Sequence, residues 1–382
     1  MSLSSTFWTR GQYTIFGLTL LMMRIIQKLK IGGENEHECL PNGEKRYFKN
    51  LISHKTDIKQ DAKKMEIFQM VLCIIEHYFQ DQIQSTEQDI WEDIYGKILI
   101  NAIALEHENN GSKIIFGSGV YLGASALDHS CCPNAIWYSI NNKELIIKTI
   151  EKVEHYSEIR ITYLPNLYES TDQRREQLLK LYYFLCQCST CLDFASNSMK
   201  SSMKCLNCQY GCVPLQSGIC SDCDSEMDTF AINKSKKLKS EIHQAIHDVD
   251  VKNFESRRIF DNLYDQSKVW LHSYDQDFME LLHNVWNNYL DQQNYQNDQK
   301  GLEIAQLMFT NFCQTVPQYF PRIGLRRITL ANLCCSLNLF GDALEHVRLA
   351  EKCVKICYGN DLAHLEECQR IRRKIGFVQL SR

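Results

Sequence analysis

Cysteine spacing constrains this chain more than any other feature. Cys205-x-x-Cys208 and Cys220-x-x-Cys223 are two paired-thiol motifs at ribbon-like separation, and Cys186-x-Cys188-x-x-Cys191 stands just ahead of them. A CxxC step brings two thiolates onto one metal, and zinc takes four donors in a tetrahedron. The chain holds 18 cysteines in 382 residues, and no convincing secretory signal is read ahead of them. Zinc in a reducing compartment is therefore favoured over a disulfide framework. Cys205, Cys208, Cys220 and Cys223 are expected to close one site, with Cys212 as a spare or substitute ligand. Cys186, Cys188 and Cys191 supply three ligands of another and need a fourth from elsewhere. With four thiolates no position stays open for water, so both sites are expected to be structural. The competing reading is a set of reduced cysteines that only pack.

The length suits two or three domains with a sizeable core. A net charge of -4 and a pI near 6.3 leave no electrostatic footprint for nucleic acid, local basic patches aside. The apolar run from Tyr13 to Ile26 is too short for a spanning helix, and Arg24 interrupts its end. Its basic residues follow the apolar run, the reverse of a signal peptide, so a buried helix is expected.

Leu18, Leu21, Met22, Ile25 and Leu29 recur at helical spacing, and Gly32-Gly33 stops that helix. Residues 34–64 read as polar and loop-rich. Two further amphipathic helices are expected, over 65–80 through Ile67, Met70, Val71, Ile74, Ile75 and Tyr78, and from about Glu87 to Leu105. Gly117-Ser118-Gly119 reads as a turn. Ala135–Ile140 and Glu144–Ile150 read as a hairpin across Asn141-Asn142-Lys143, and Glu158–Leu164 as another strand. Ser170-x-x-Gln173 is a capping box that opens a helix over Thr171–Tyr183. From Thr229 onward the pattern is helical, including Asp277–Leu290 and Leu302–Cys313. Ala331, Ala343 and Ala350, with Leu330 and Phe340 at apolar positions and Gly341-Asp342 as the turn, have the look of one tetratricopeptide repeat.

One stretch draws these pieces together: Asp128-His129-Ser130-Cys131-Cys132-Pro133-Asn134, followed by Thr162-Tyr163 and then the cysteines at 186–191. Read alone, it is a loop with a Pro-Asn turn. With its flanks it resembles the C-terminal half of a SET domain with post-SET cysteines, in the manner of the SET-and-MYND-domain (SMYD) lysine methyltransferases. The family pattern is Asn-His-Ser-Cys-x-Pro-Asn, so Asp128 departs from it. The resemblance starts near residue 18 and runs to the C-terminus. The first 120 residues hold only Cys39 and Cys73, so no MYND finger and no first SET segment is expected, as if the chain were N-terminally truncated.

The resemblance implies an α+β fold: a leader and helical SET insertion over 1–110, a SET core and post-SET zinc segment over 111–192, a second cysteine cluster over 193–228 and a helical TPR-like domain over 229–382. It also implies a knot-like crossover between Tyr163 and the following helix, a topology that chain-connection rules alone would argue against. It nominates Cys131 as the fourth ligand of the first zinc, with Cys132 the rival by proximity. It implies S-adenosyl-L-methionine as methyl donor, about two structural zinc ions, and protein substrates with target lysines, histone or non-histone, in cytoplasm and nucleus.

Among single residues, the resemblance gives Tyr163 the chemistry, Tyr182 the lysine channel and Phe184 the cover over the donor's adenine. Asn101 and His129 match donor contacts. Asp128 stands where an Asn contacts the donor's amino acid moiety; a carboxylate accepts from an ammonium but repels the donor's carboxylate. The plain alternatives are packing for Tyr163, an exposed helix position for Asn101 and a satisfied loop residue for His129. At the level of the whole chain the alternative is a non-catalytic scaffold whose helices bind partner peptides or chaperone tails. A third reading, DNA binding through the 205–223 cluster, is weakened by Asp222, Asp224, Glu226 and Asp228 around its end.

Overall fold

The computed structural model describes residues 15–79, 87–109, 112–141, 143–248, 254–290, 299–359 and 362–380. It divides into two compact units, one of residues up to 166 with 172–186, the other of residues 167–171 with those from 187 onward. Small sheets beside many helices make the chain α+β.

In the first unit, α1 (Ile15–Lys30) buries Leu18, Met22, Met23 and Ile26, and Gly32 ends it with a left-handed φ of 94°. Tyr13 and Thr14 lie outside the described residues. The segment expected to be loop is more ordered than its polarity implied. Strands β1 (His37–Cys39) and β2 (Lys45–Tyr47) form a hairpin, and α2 (Lys55–Gln60) follows. Pro41-Asn42-Gly43, with φ 85° at Gly43, is the turn signal that marks the hairpin.

Helix α3 (Ala62–Tyr78) starts at Asp61, whose carboxylate accepts from the Lys63 and Lys64 backbone N–H groups. Its buried stripe is Lys64, Phe68, Val71 and Ile75. The expected stripe was rotated from this, since Met70 and Tyr78 are exposed. Gln80 lies outside the described residues. α4 (Gln88–Asn101) packs Trp91, Ile94, Tyr95 and Ile98 against α1 and α3 in one apolar core.

The helix expected to reach Leu105 stops at Asn101. The chain turns into β3 (Ala102–Asn109), paired antiparallel with β4 (Ser112–Val120) and irregular between Leu105 and Glu106. Gly117-Ser118-Gly119 therefore lies inside a strand. Ala102 to Leu105 is apolar throughout, and periodicity alone does not separate such a run from a buried helix end.

Strand β5 (Asp128–His129) precedes the expected hairpin of β6 (Ala135–Ile140) and β7 (Glu144–Thr149), whose second strand ends one residue earlier than expected and whose turn has a left-handed Asn141; Asn142 lies outside the described residues. The strand expected over 158–164 is a helical turn at Tyr156–Glu158 followed by β8 (Arg160–Ile161). β8 pairs in parallel with β5, placing Asp128 opposite Arg160 and His129 opposite Ile161. Helix α5 (Thr171–Tyr182) ends one residue earlier than expected, and Tyr183 takes φ 61°.

The second unit opens with the short helices α6 (Ser189–Leu192) and α7 (Phe194–Met199) and the antiparallel strands β9 (Ser202–Lys204) and β10 (Cys212–Pro214). Among the described residues seven helices follow: α8 (Thr229–Asp248), α9 (Phe254–Trp270), α10 (Gln276–Leu290), α11 (Gln299–Thr315), α12 (Pro321–Ser336), α13 (Phe340–Tyr358) and α14 (Leu362–Leu380). Asp275 caps α10 by accepting from the backbone N–H groups of Asp277 and Phe278, at 3.0 and 3.2 Å. Leu238, Ile242, Phe260, Tyr264, Leu281 and Leu282 form one core of these helices. A second includes Ala331, Ala343 and Ala350, all fully buried, where small side chains let α12 and α13 approach. Gly341-Asp342, expected as the turn, lies in the first turn of α13. Asn338, with φ 60°, turns the chain instead.

Candidate active site and metal centres

Tyr163 follows β8 by two residues and is held at both ends. Its hydroxyl donates to the Leu127 carbonyl at 2.6 Å, and its backbone N–H donates to His129 Nδ1 at 2.9 Å. The parallel pairing of β5 with β8 explains this, because it sets His129 beside Ile161 and so within reach of Tyr163. Three rings gather on the tyrosine. Tyr182 lies 5.0 Å away, His129 5.3 Å, and Phe184 6.3 Å edge-on, within the range of favourable aromatic pairs. Four of the residues singled out from the sequence thus stand together.

The segment carrying Tyr182 and Phe184 is fixed from α3. Lys64 Nζ donates to the Lys180 carbonyl at 2.8 Å and to the Tyr183 hydroxyl at 2.6 Å, satisfying the end of α5. The His54 ring stacks on Tyr183 at 5.1 Å. Burial lowers the pKa of Lys64 and raises that of Tyr183 to about 12, so the phenol stays neutral.

Asn101 and Asp128 have other surroundings. Asn101 is the last residue of α4 and is buried, not exposed. Its Nδ2 donates to the Ile52 carbonyl at 2.9 Å and the Lys97 carbonyl at 2.8 Å, which uses both amide protons and leaves Oδ1 as an acceptor. Asp128 is exposed, whereas its neighbour His129 is buried.

His129 leads from the tyrosine to the first cysteine group. Because Nδ1 accepts from Tyr163, Nε2 carries the ring proton, and it faces Cys131 Sγ at 3.3 Å. Arg174, fully buried on α5, donates from Nε to the same sulfur at 3.2 Å. Cys131 Sγ lies 4.0 Å from Cys186 Sγ. A tetrahedral zinc with Zn–S bonds of about 2.3 Å sets its sulfurs about 3.8 Å apart. The sulfurs of Cys131, Cys186, Cys188 and Cys191 all lie within 4.8 Å of one another. Cys132 is exposed and outside this group. Two donors on Cys131 favour its thiolate, and the buried guanidinium offsets part of the negative charge a four-thiolate zinc site carries.

The second group is Cys205, Cys208, Cys220 and Cys223, likewise within 4.8 Å. The Cys205–Cys223 and Cys208–Cys220 sulfur separations are 3.7 and 3.9 Å, again close to the zinc tetrahedron and far from a disulfide. Backbone N–H groups of Gly211 and Asp222 point at Cys208 and Cys220, at 3.3 and 3.4 Å. A hydrogen bond with the Ser225 hydroxyl holds Cys223 down at about 6, while burial pushes Cys220 up to about 12. A bound cation would relieve the second effect. Cys212 is not the spare ligand it was expected to be. It sits buried in β10, outside the group.

Nothing in the residue pattern marks Arg174 or Lys64, because a charged residue in a polar helix turn normally reads as exposed. Gly211 and Ser225 were more legible, being a glycine between the CxxC pairs and a hydroxyl two residues past Cys223.

The arrangement is that of an α+β protein with an aromatic cluster beside one of two zinc-type thiol groups. No family model matches the chain. N-lysine methyltransferase SMYD2 of Bos taurus is 24% identical over 187 residues, 49% of this chain and 41% of that protein. Histone-lysine N-methyltransferase SMYD3 of Homo sapiens is 30% identical over 176 residues, 45% of this chain and 38% of that protein. SET domain-containing protein 14 of Caenorhabditis elegans is 30% identical over 195 residues, 50% of this chain and 42% of that protein. The chain spans about two fifths of the length of these curated relatives. These similarities, each over about half of the chain, support membership of the SMYD family.

Proposed function

We propose that the aromatic cluster around Tyr163 is the lysine-channel end of a protein lysine N-methyltransferase site that uses S-adenosyl-L-methionine. The observation that carries this reading is the two-ended clamp on Tyr163, with Tyr182 and Phe184 set around its ring. When bound, S-adenosylmethionine supplies an electrophilic methyl on a sulfonium. Its transfer needs a neutral lysine amine held in line with that methyl by a narrow channel. Tyr163 spends its hydroxyl proton on Leu127, and the phenol oxygen serves as an acceptor that orients the amine. Tyr182 lines the channel, and Phe184 covers the donor's adenine.

Asn101 meets the donor's ammonium through Oδ1, the atom its own bonds leave as an acceptor. Asp128 also accepts from that ammonium and repels the donor's carboxylate, so it weakens donor binding. His129, with both ring nitrogens engaged, acts as a positioning residue between Tyr163 and Cys131 and not through a ring-nitrogen contact to the donor.

On this reading 111–192 is a SET core with its post-SET zinc segment, 193–228 a second zinc module and 229–382 a TPR-like domain. The substrates are histone or non-histone proteins in cytoplasm and nucleus. Among the described residues no helix is long and apolar enough to cross a membrane. A second reading rests on the fully buried alanines between α12 and α13: a helical-repeat scaffold that captures partner peptides or chaperone tails.

Calorimetry with S-adenosylmethionine and methyl incorporation into histone and non-histone peptides, on the same full-chain sample, decide between them. The enzyme reading expects donor binding, incorporation that drops at least about 100-fold in Tyr163→Phe, and tighter donor binding in Asp128→Asn. Peptide capture without donor binding selects the scaffold.

A further inference from the structure

The helices α8 and α10 carry a third donor cluster, one without cysteine. Lys239, His243 and His247 recur every four residues on α8 and so share one face. Asp277 and Glu280, three residues apart, share a face of α10. Lys239 Nζ is committed to Asp275 at 2.6 Å and to Asp277 Oδ2 at 3.0 Å. The other oxygen of Asp277, Oδ1, faces His243 Nδ1 at 3.7 Å, too far for a hydrogen bond. One donor atom each from His243, Asp277 and Glu280 lies within 4.8 Å of the others. The His247 ring packs edge-on against His243 with centroids 5.3 Å apart.

We propose that His243, Asp277 and Glu280, joined by His247, bind a divalent transition-metal ion of the zinc type. An ordinary ion-pair lattice would leave the charges paired, as Lys239 is. Here no Lys or Arg among the described residues is paired with Glu280, although it stands beside Asp277 and faces the two histidines. A metal between them would supply the positive charge. Two imidazoles with carboxylates select zinc or nickel over calcium or magnesium, which prefer oxygen alone. The zinc tetrahedron has edges of about 3.4 Å for bonds of about 2.1 Å. His243 has its side chain half exposed and can swing inward to close the cluster to that size. Unlike the thiol groups, this site keeps positions for water, and its exposed imidazoles let the ion exchange.

The test uses the full chain equilibrated with excess zinc and then passed into a zinc-buffered solution. Zinc per chain is measured for the protein and for a His243→Ala, Glu280→Gln variant, which removes two donors without touching a thiol. The expected result is one equivalent fewer in the variant, whatever number the thiol groups hold. Cobalt added to the zinc-loaded protein should give only weak visible bands, without the intense near-ultraviolet absorption of thiolate ligation, and the variant should lack them. Equal zinc contents in the two proteins, or cobalt bands unchanged in the variant, would overturn the proposal.

Discussion

The two thiol groups contain the same donors and are assembled from opposite kinds of sequence. In the 205–223 group the paired sulfurs are 18 and 12 residues apart, and the backbone N–H groups of Gly211 and Asp222 and the Ser225 hydroxyl, all from the same stretch, complete it. The 131–191 group joins Cys131 to Cys186, 55 residues away, and the groups facing Cys131 come from β5 and α5. The first is a local module. The second ties a long loop and reaches, through one imidazole, to Tyr163. If zinc fills both, losing it costs a local module in one case and the geometry of the aromatic cluster in the other.

The largest expected effect tests that contrast directly. Cys186→Ser and Cys208→Ser should each lower the zinc content by one equivalent. Closing a 55-residue loop stabilises by about 4 kcal/mol on the chain-entropy argument, against about 3 kcal/mol for a 12-residue loop. Cys186→Ser should therefore be the more destabilising change, and only it should alter the environment of Tyr163, read from aromatic signals in an NMR spectrum. Equal destabilisation with an unchanged Tyr163 would break the comparison.

Arg174→Met comes next. It removes a charged donor from Cys131 inside the core, where a hydrogen bond to a charged group contributes about 1.5–3 kcal/mol. The variant should lose zinc more readily to a chelator from the 131–191 group alone. Arg174→Lys should rescue it in part, since a lysine carries the charge without the planar fork. No change in chelation rate would show that the arginine is incidental to the metal site.

Gly211→Ala makes the matching intrusion into the local module. A Cβ there would overlap Cys220 Sγ and stand 2.9 Å from Cys208 Sγ, so the cost should be about 1–3 kcal/mol with zinc affinity reduced at that group only. Gly341→Ala is the control, because a Cβ at Gly341 meets nothing within 4 Å. Similar melting temperatures for the two variants would contradict the close approach at Gly211.

The same contrast explains how much of the molecule could be read from its sequence. The four cysteines of the local module were legible from spacing, because each CxxC step is a short-range constraint. Cys131 was legible only through the resemblance, since nothing in the spacing of 186–191 points to a residue in another strand. Helix ends were lost where tertiary context decided: Ala102 to Leu105 continues the apolar run of α4 yet pairs as a strand. The residues of the aromatic cluster, Tyr163, Tyr182, Phe184 and His129, were named only through the resemblance, since a lone aromatic or histidine in this sequence reads equally as packing. The supports of that cluster, Lys64 and Arg174, were not legible, because burial of a charge is a property of the packed molecule.

The smallest expected effect lies in the helical unit, away from both thiol groups, and serves as their control. His283 on α10 has its pKa lowered to about 3 by burial, then by Arg326 and Arg322, and its Nε2 finds no hydrogen-bond partner among the described residues. Its folded pKa lies below the unfolded value near 6.5, so between those values the unfolded chain binds the extra proton. The stability this group contributes is fully present above pH 6.5 and is lost as the pH falls toward 3. Asp275 opposes it in part of that range, because burial raises its pKa to about 6 and the folded chain takes up that proton first. The comparison must therefore be made with His283→Gln, which leaves Asp275 in place. From pH 6.5 to 5 the unmutated chain should lose about 1.7 kcal/mol more than the variant in denaturant unfolding, the slope steepening toward about 1.4 kcal/mol per pH unit. Parallel pH profiles would mean that His283 is solvated, and would remove the helical unit as a pH-sensitive reference for the two thiol groups.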